Sequence, residues 1–214
     1  LLQLDGIDWK VSDFGYQVLL LEPDVDTGHL EYIHHLYHWI EVEQPYEITD
    51  VVPAYTSIAI FYSSTREELV KKLQHSDFSA AKTKAHKTIN VEVDYEEGLD
   101  LEHVVNKTGY TKSEVISRHS AKIYTVATIG FIPGFIFLEG LDPAISIPRL
   151  ESPRTKVPSG SVGIGGIQTG IYSLESPGGW NIIGRTSNSF FDVEKNPPIT
   201  ISPGDKLKFI PISV

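Results

Sequence analysis

Arginine is the side chain through which this sequence could do chemistry most directly. Arg149, Arg154 and Arg185 fall within a stretch, 130–186, that holds most of the chain's 17 glycines and nearly half of its 13 prolines. A guanidinium carries a fixed positive charge and presents parallel N–H donors that match the oxygens of a carboxylate or a phosphate. Glycine turns backbone through positive φ and proline fixes turns, so arginines set among them sit on shaped loops. This combination predicts a site for an anionic substrate or a transferred phosphoryl group. The same stretch contains GSVGIGG at 160–166, whose backbone N–H groups would cradle an anion if they formed a concave nest. It lacks the lysine of a phosphate-binding loop and the strand-to-helix setting of a dinucleotide fingerprint, and a tight strand pair needing small residues explains it as well.

Histidine and tryptophan supply the remaining candidates. His119 closes a short helical pattern just before the glycine-rich stretch and is a candidate general acid or base, although a histidine at a helix C-terminus is equally ordinary. No histidine follows it, which excludes a Ser-His-Asp triad confined to the stretch. His34 and His38 stand four residues apart, a spacing that lets two imidazoles share a metal, with His35 between them. No glutamate of an H-E-x-x-H pattern accompanies them and no third ligand is evident, so no metal site is predicted. Trp180, after Pro177, Gly178 and Gly179, is either a stacking wall for a ligand or a core plug, and the plug is the favoured reading.

The elements that would position these residues can be read from periodicity. A buried strand spans 16–21. A helix capped by Asp26 or Thr27 follows, with Leu30, Ile33, Tyr37 and Ile40 on one face and Pro45 beyond its end. Strands at 48–52 and 57–62 precede a second helix, for which Ser64 and Glu67 form a capping box and Leu69, Val70 and Leu73 form the buried stripe. This order predicts a small two-layer α+β unit over residues 1–86. A polar, lysine-containing run, FSAAKTKAHK, marks the boundary. Beyond it come a strand at 88–93, a helix from Leu101 capped by Asp100 and stopped by Gly109, and a helix with Thr111 and Glu114 as its capping box. Short strands at 122–130, 135–138, 161–165, 169–173, 181–186 and 206–212 then predict a sandwich or barrel over residues 87–214.

Composition narrows the function classes. The chain has 214 residues, a formal charge of −10 and no cysteine, which excludes a disulfide framework, a thiolate metal site and a cysteine nucleophile. The acidic balance argues against nucleic-acid or anionic-membrane partners, whose phosphates call for a basic face. No apolar run approaches the ~20 residues that span a bilayer, and no signal-peptide pattern opens the sequence; a soluble, cytoplasmic chain is expected.

Several of these segments together resemble a known family. RHSAKIYTVATIGFIPGFIFLEGL from Arg118, then PRLESPRTKVPSGSVGIGGIQTGIY, SPGGWNIIGRT and the ending PGDKLKFIPI, are similar to the B subunits of 5-oxoprolinase, a family also described as allophanate hydrolase subunit 1. The family includes the Kip-type inhibitor of a sporulation histidine kinase. VVPAYTSIAIFY matches more loosely, and the usual G-D-x-A-like opening appears as Ser12-Asp13-Phe14-Gly15-Tyr16. The resemblance implies an α+β N-terminal domain followed by a cyclophilin-like β-barrel, working with the A-type and C-type subunits of 5-oxoprolinase, the latter as its direct pair. The assembly is expected to convert 5-oxoproline to glutamate with ATP and magnesium, by phosphoryl transfer to the lactam oxygen, and the chain alone to be inactive. Two alternatives stay open: inhibition of a sensor histidine kinase, and a carboxyltransferase role in urea or allophanate metabolism. His119, Arg149, Arg154 and Arg185 are the expected catalytic residues. Pro133, Gly134, Ser159, Gly160, Ser161, Gly165, Gly166, Gln168, Thr169, Gly178, Gly179 and Trp180 are the expected substrate- or nucleotide-binding ones.

Overall fold

The computed structural model describes residues 1–78 and 86–213 and divides the chain into two compact units, Leu1–Ala85 and His86–Val214. Most of the polar run expected to mark the boundary lies outside the described residues. The α+β architecture expected from the sequence, with a barrel as its second part, is the one observed.

In the first unit, β1 (Leu2–Leu4) and β2 (Ile7–Asp13) form a hairpin whose two-residue turn, Asp5-Gly6, has φ of 49° and 77°. Both turn residues at positive φ match the right-handed twist of the flanking strands. β3 (Val18–Pro23), α1 (His29–Glu43), β4 (Ile48–Pro53), β5 (Ile58–Tyr62) and α2 (Arg66–Gln74) complete an antiparallel sheet ordered β1-β2-β3-β5-β4 with its two helices. Leu19, Leu21, Ile58 and Ile60 alternate inward on neighbouring strands and meet Ile33, Trp39, Leu69 and Leu73 of the helices.

Two helix starts differ from expectation. Gly28, at φ 76°, stands at the N-cap of α1 with no side-chain cap, so Asp26 and Thr27 lie too early to reach its amides. The capping box of α2 is Thr65 with Glu68, one residue later than Ser64 with Glu67: the Thr65 oxygen accepts from Glu68 N–H while the Glu68 carboxylate accepts from Thr65 N–H. Ser64 instead donates to the Thr65 carbonyl.

The second unit is built on a closed barrel. Its strands are β6 (Thr88–Asp94), β7 (Ile123–Ile129), β8 (Ile136–Glu139), β10 (Ser161–Gly165), β11 (Gln168–Ile171), β13 (Asn181–Arg185) and β14 (Lys206–Ser213). Around the barrel they run β10-β11-β8-β7-β14-β6-β13, and β14 lies parallel to β6 while the other pairings are antiparallel. Helices α3 (Leu101–Thr108) and α4 (Lys112–Ser120) pack on β13 and β14 respectively. The Thr111–Glu114 capping box of α4 and the left-handed Gly109 that stops α3 are present as expected. Val91, Val93, Tyr124, Val126, Leu138, Ile164, Leu207 and Phe209 fill the interior. A two-stranded sheet of β9 (Arg154–Val157) and β12 (Ser176–Gly178) lies over a second apolar cluster of Phe135, Val157, Tyr172, Trp180 and Ile182. Among the described residues no helix is long and apolar enough to cross a membrane.

Candidate functional site

The three arginines come to different ends. Arg154 forms a bidentate pair with Asp100, Nη1 to Oδ2 at 2.8 Å and Nη2 to Oδ1 at 2.5 Å, and the Asp100 side chain is only 8% exposed. Asp100 also accepts the Ile182 N–H at 2.7 Å and returns its own N–H to the Ile182 carbonyl. This corrects the expected cap: with its carboxylate turned to β13 and Arg154, Asp100 makes no side-chain cap on α3. Arg185 donates Nε–H to the Ser159 carbonyl and pairs with Glu97. Arg149 differs from both. Among the described residues it has no carboxylate partner, it is exposed, and its guanidinium lies 5.6 Å from the centre of the Trp180 ring, within range of a cation–π contact.

The backbone carrying Arg149 is held on both sides. The Ser146 hydroxyl donates to the Gly166 carbonyl at 2.7 Å, and the Gly166 N–H to the Ile147 carbonyl at 2.8 Å. Asn181 Nδ2 bridges the Pro148 and Ile164 carbonyls at 2.9 and 3.1 Å, and the Leu150 N–H reaches the Gly179 carbonyl at 2.7 Å. Both amide hydrogens of Asn181 therefore go to carbonyls, which fixes the orientation of the side chain. Its Oδ1, fully buried, has no hydrogen-bond partner among the described residues. The strap 146–150 is thus bound to the barrel wall, and Arg149 is mounted on a fixed base.

Trp180 is a plug, 4% exposed, as favoured from sequence. Its ring meets Phe135 and Phe137 edge-on at 5.4 and 5.8 Å, and its backbone N–H bonds the Tyr172 oxygen. Burial pushes the Tyr172 phenol up, while that N–H and the nearby Arg149 and Arg154 charges pull in the other direction. The glycines around Trp180 are dictated by close packing against it and against Tyr172. A Cβ on Gly165 would stand 2.7 to 2.8 Å from three of its atoms, one on Gly163 would press on its Cβ, and one on Gly178 would strike the Tyr172 hydroxyl.

That packing also decides the proposed anion cradle. β10 pairs with β11 on one side and β13 on the other, the Gly160 N–H goes to the Tyr172 carbonyl, the Ser161 N–H to Pro158 and the Gly166 N–H to Ile147. With these amides engaged in the barrel, the 160–166 backbone forms a strand, not a nest. The segment is the tight strand pair that the small residues allow, and its engaged amides do not form the concave nest expected for an anion.

His119 is fully enclosed. Tyr95 O–H meets Nδ1 at 2.7 Å and Nε2 meets Thr169 Oγ1 at 3.0 Å. The Thr169 hydroxyl donates to the Gly163 carbonyl, so Nε2 must carry the proton and Nδ1 must accept from Tyr95. Burial takes the imidazole down to about 3, well below its ordinary 6.5, and the ring stacks on Phe209 at 4.5 Å. A proton shuttle needs contact with substrate or water; His119 and Thr169 instead form part of a neutral hydrogen-bonded chain inside the barrel.

The remaining residues fall into two groups. Gly165, Gly166 and Trp180 gather with Arg149, and Gln168 pairs with Gly165 at the end of the β10–β11 hairpin. Pro133 accepts from Ser173, Ser159 donates to the Ser173 carbonyl, Gly134 lies against Phe191 and Ser173, and Gly160 lies against Thr186, which gathers them with Arg185. Gly179 abuts Pro153 beside Leu150, and Ser161 is buried in β10. Asn181 was outside the sequence expectation, because an asparagine inside a strand pattern gives no sign that it will tie down a strap 33 positions earlier in the chain. In the first unit His34 and His38 lie on the buried side of α1, and His35 bonds the Phe78 carbonyl and Asp5. Among the described residues no three His, Asp or Glu gather as a metal site.

Similarity to known proteins bears on this geometry. The family model for the carboxyltransferase domain, subdomain C and D, matches residues 9–201. The 5-oxoprolinase B subunit of Bacillus subtilis is 37% identical over 191 residues, covering 80% of this chain and 79% of that one. The protein of the same name from Escherichia coli O157:H7 is 36% identical over 200 residues, 91% of each chain. A crystal structure of TTHA0988 superposes with a TM-score of 0.80 at 30% identity, over 92% of this chain but 40% of that longer one. By the span of the domain match and by this identity across most of both curated relatives, the chain belongs to the carboxyltransferase subdomain C and D family, together with the 5-oxoprolinase B subunits.

Proposed function

We propose that this chain is the B-type subunit of an ATP-dependent 5-oxoprolinase, which converts 5-oxoproline to glutamate with a paired C-type subunit, the A-type subunit completing the assembly. The observation that carries this reading is the identity of 36–37% over most of both chains with proteins named as B subunits of 5-oxoprolinase. The geometry adds a division of labour. Among the described residues Arg149 is a guanidinium without a carboxylate partner on a rigid backbone, whereas Arg154 pairs with the buried Asp100 and Arg185 with Glu97. The 160–166 amides are engaged in the barrel and offer no nest for the phosphates of the ATP and magnesium that this reading calls for. Arg149 stands on an open face, and a site there is finished only when a partner covers it. In this reading the chain by itself is inactive.

The test is ATP-dependent glutamate release from 5-oxoproline by the native complex, recovered from its host through a tag on this chain. Release that stops without ATP is expected. No release from material that contains both partner subunits would overturn the reading. The family's carboxyltransferase description favours a second one, in which the chain works with a biotin-bearing domain; transfer of a carboxyl group from carboxybiotin, in place of glutamate release, would establish it.

A further inference from the structure

Resting on the 5-oxoprolinase reading, we infer that Arg149 is the residue that binds the carboxylate of the substrate, and that it takes no part in holding the transferred phosphoryl group. The inference comes from counting compensating charge. A phosphoryl group in transfer carries spread negative charge that calls for several cations, a metal ion or a set of free amides around it. Around Arg149, among the described residues, neither a second guanidinium without a carboxylate partner nor a free amide of Gly160, Ser161 or Gly166 is at hand. Arg154 is locked to the buried Asp100 and Arg185 to Glu97 and Ser159, and Lys156 pairs with Glu175. The amides of Gly160, Ser161 and Gly166 already have acceptors. What remains is one guanidinium, without a carboxylate partner among the described residues, set over an aromatic face.

One fixed positive charge matches one carboxylate, and two parallel N–H bonds give that pair its geometry. A five-membered lactam carrying a single carboxylate fits this description. The four hydrogen bonds on the strap 146–150 hold the backbone that carries Arg149 in place before the ligand arrives, so little backbone ordering opposes binding. Asn181, which ties Pro148 to the barrel wall, is in this scheme a positioning residue.

The experiment measures calorimetric binding of 5-oxoproline, without nucleotide, to the wild-type complex and to complexes carrying Arg149→Ala or Arg149→Lys. ATP-dependent release is followed in parallel. The alanine variant is expected to bind about 10- to 100-fold more weakly, the scale of one charge-assisted hydrogen-bonded pair. The lysine variant should recover part of the loss, and the KM for ATP should stay the same in all three. Equal binding by wild type and Arg149→Ala would overturn the inference while leaving the 5-oxoprolinase reading intact. A raised KM for ATP with unchanged 5-oxoproline binding would likewise overturn it and return Arg149 to the phosphate. Absence of 5-oxoproline binding by the wild type would also overturn it. Arg149-dependent binding without turnover would sustain the inference while the 5-oxoprolinase reading failed. Because Arg149 is exposed, unchanged thermal melting of the variants is expected and guards against unfolding as the cause.

Discussion

At the scale of single residues, the arginines of the glycine-rich stretch separate into Arg154 and Arg185, which have carboxylate partners, and Arg149, which has none among the described residues. Asp100 illustrates the first kind: it anchors Arg154, caps the edge of β13 through the Ile182 N–H, and is nearly enclosed. His119 illustrates a second device, a buried imidazole kept neutral between a tyrosine donor and a threonine acceptor. Its depressed ionisation has a measurable consequence. In the unfolded chain the imidazole takes up a proton near its ordinary 6.5, but in the folded chain only near 3. The unfolded state therefore binds more protons between those values, and stability is complete above 6.5 and lost as the pH falls toward 3. The slope approaches about 1.4 kcal/mol per pH unit. Urea denaturation between about pH 6.5 and 4.5, inside that window, should show it in the wild type. A His119→Gln variant should lose about that much slope even if it is less stable throughout. An unchanged slope in the variant would assign the pH dependence to other groups.

At the scale of elements, Trp180 is the object around which strands, glycines and strap are fitted. Gly165 and Gly166 are neighbours with opposite reasons to be glycine. Gly165 has no room, since a Cβ would stand 2.7 Å from the indole, whereas Gly166 has space on every side but turns at φ 67°. A Gly165→Ala substitution should displace the ring under Arg149 and cost about 1–3 kcal/mol, as overpacking does. Gly166→Ala should cost about 1 kcal/mol through backbone strain alone and leave the ring where it is. Near-ultraviolet dichroism alongside thermal melting separates the two: a changed aromatic signal is expected only for Gly165→Ala, and equal spectra would remove Trp180 as the reason for that glycine.

What could be read from the sequence at this scale was what is local. The Thr111–Glu114 capping box and the Gly109 stop are signals contained within a few residues, and both are where the pattern put them. The β1–β2 hairpin also announces itself, through Asp5-Gly6, but reading from the long apolar runs passes over both of its strands. β9 and β12 carry no such signal: RTKV and SPG become strands because they cover Tyr172 and Trp180, a surface that exists only after the barrel has formed. The arginines show the same limit. Their setting marked the region, yet nothing near Arg154 in sequence reveals a carboxylate at position 100, so which guanidinium remains available is a tertiary fact.

At the scale of the molecule, each unit has its own apolar core, one around Leu19, Ile60 and Leu73, the other around Val91, Tyr124 and Phe209. The second should therefore stand alone, with β14 as the strand it cannot do without. β14 pairs along the length of β6 and with β7, whereas β6 reaches β13 through the single Asp94–Arg185 pair. A fragment of residues 86–214 is expected to unfold cooperatively in urea, and a fragment of 86–205 to show no such transition; cooperative unfolding of the shorter piece would mean that the barrel closes without its parallel strand. This parallel pair also sets a timetable. During synthesis β6 is made first among the barrel strands, and residues 95–205 must follow before its main neighbour exists, a delay of about 5–20 s at ordinary elongation rates. Throughout that interval Thr88–Asp94, which alternates Ile89, Val91 and Val93 with polar residues, lacks its main partner and is able to pair with another extended chain. The barrel's exposure to misassembly in the cell is thus concentrated in the time its first strand spends waiting for its last.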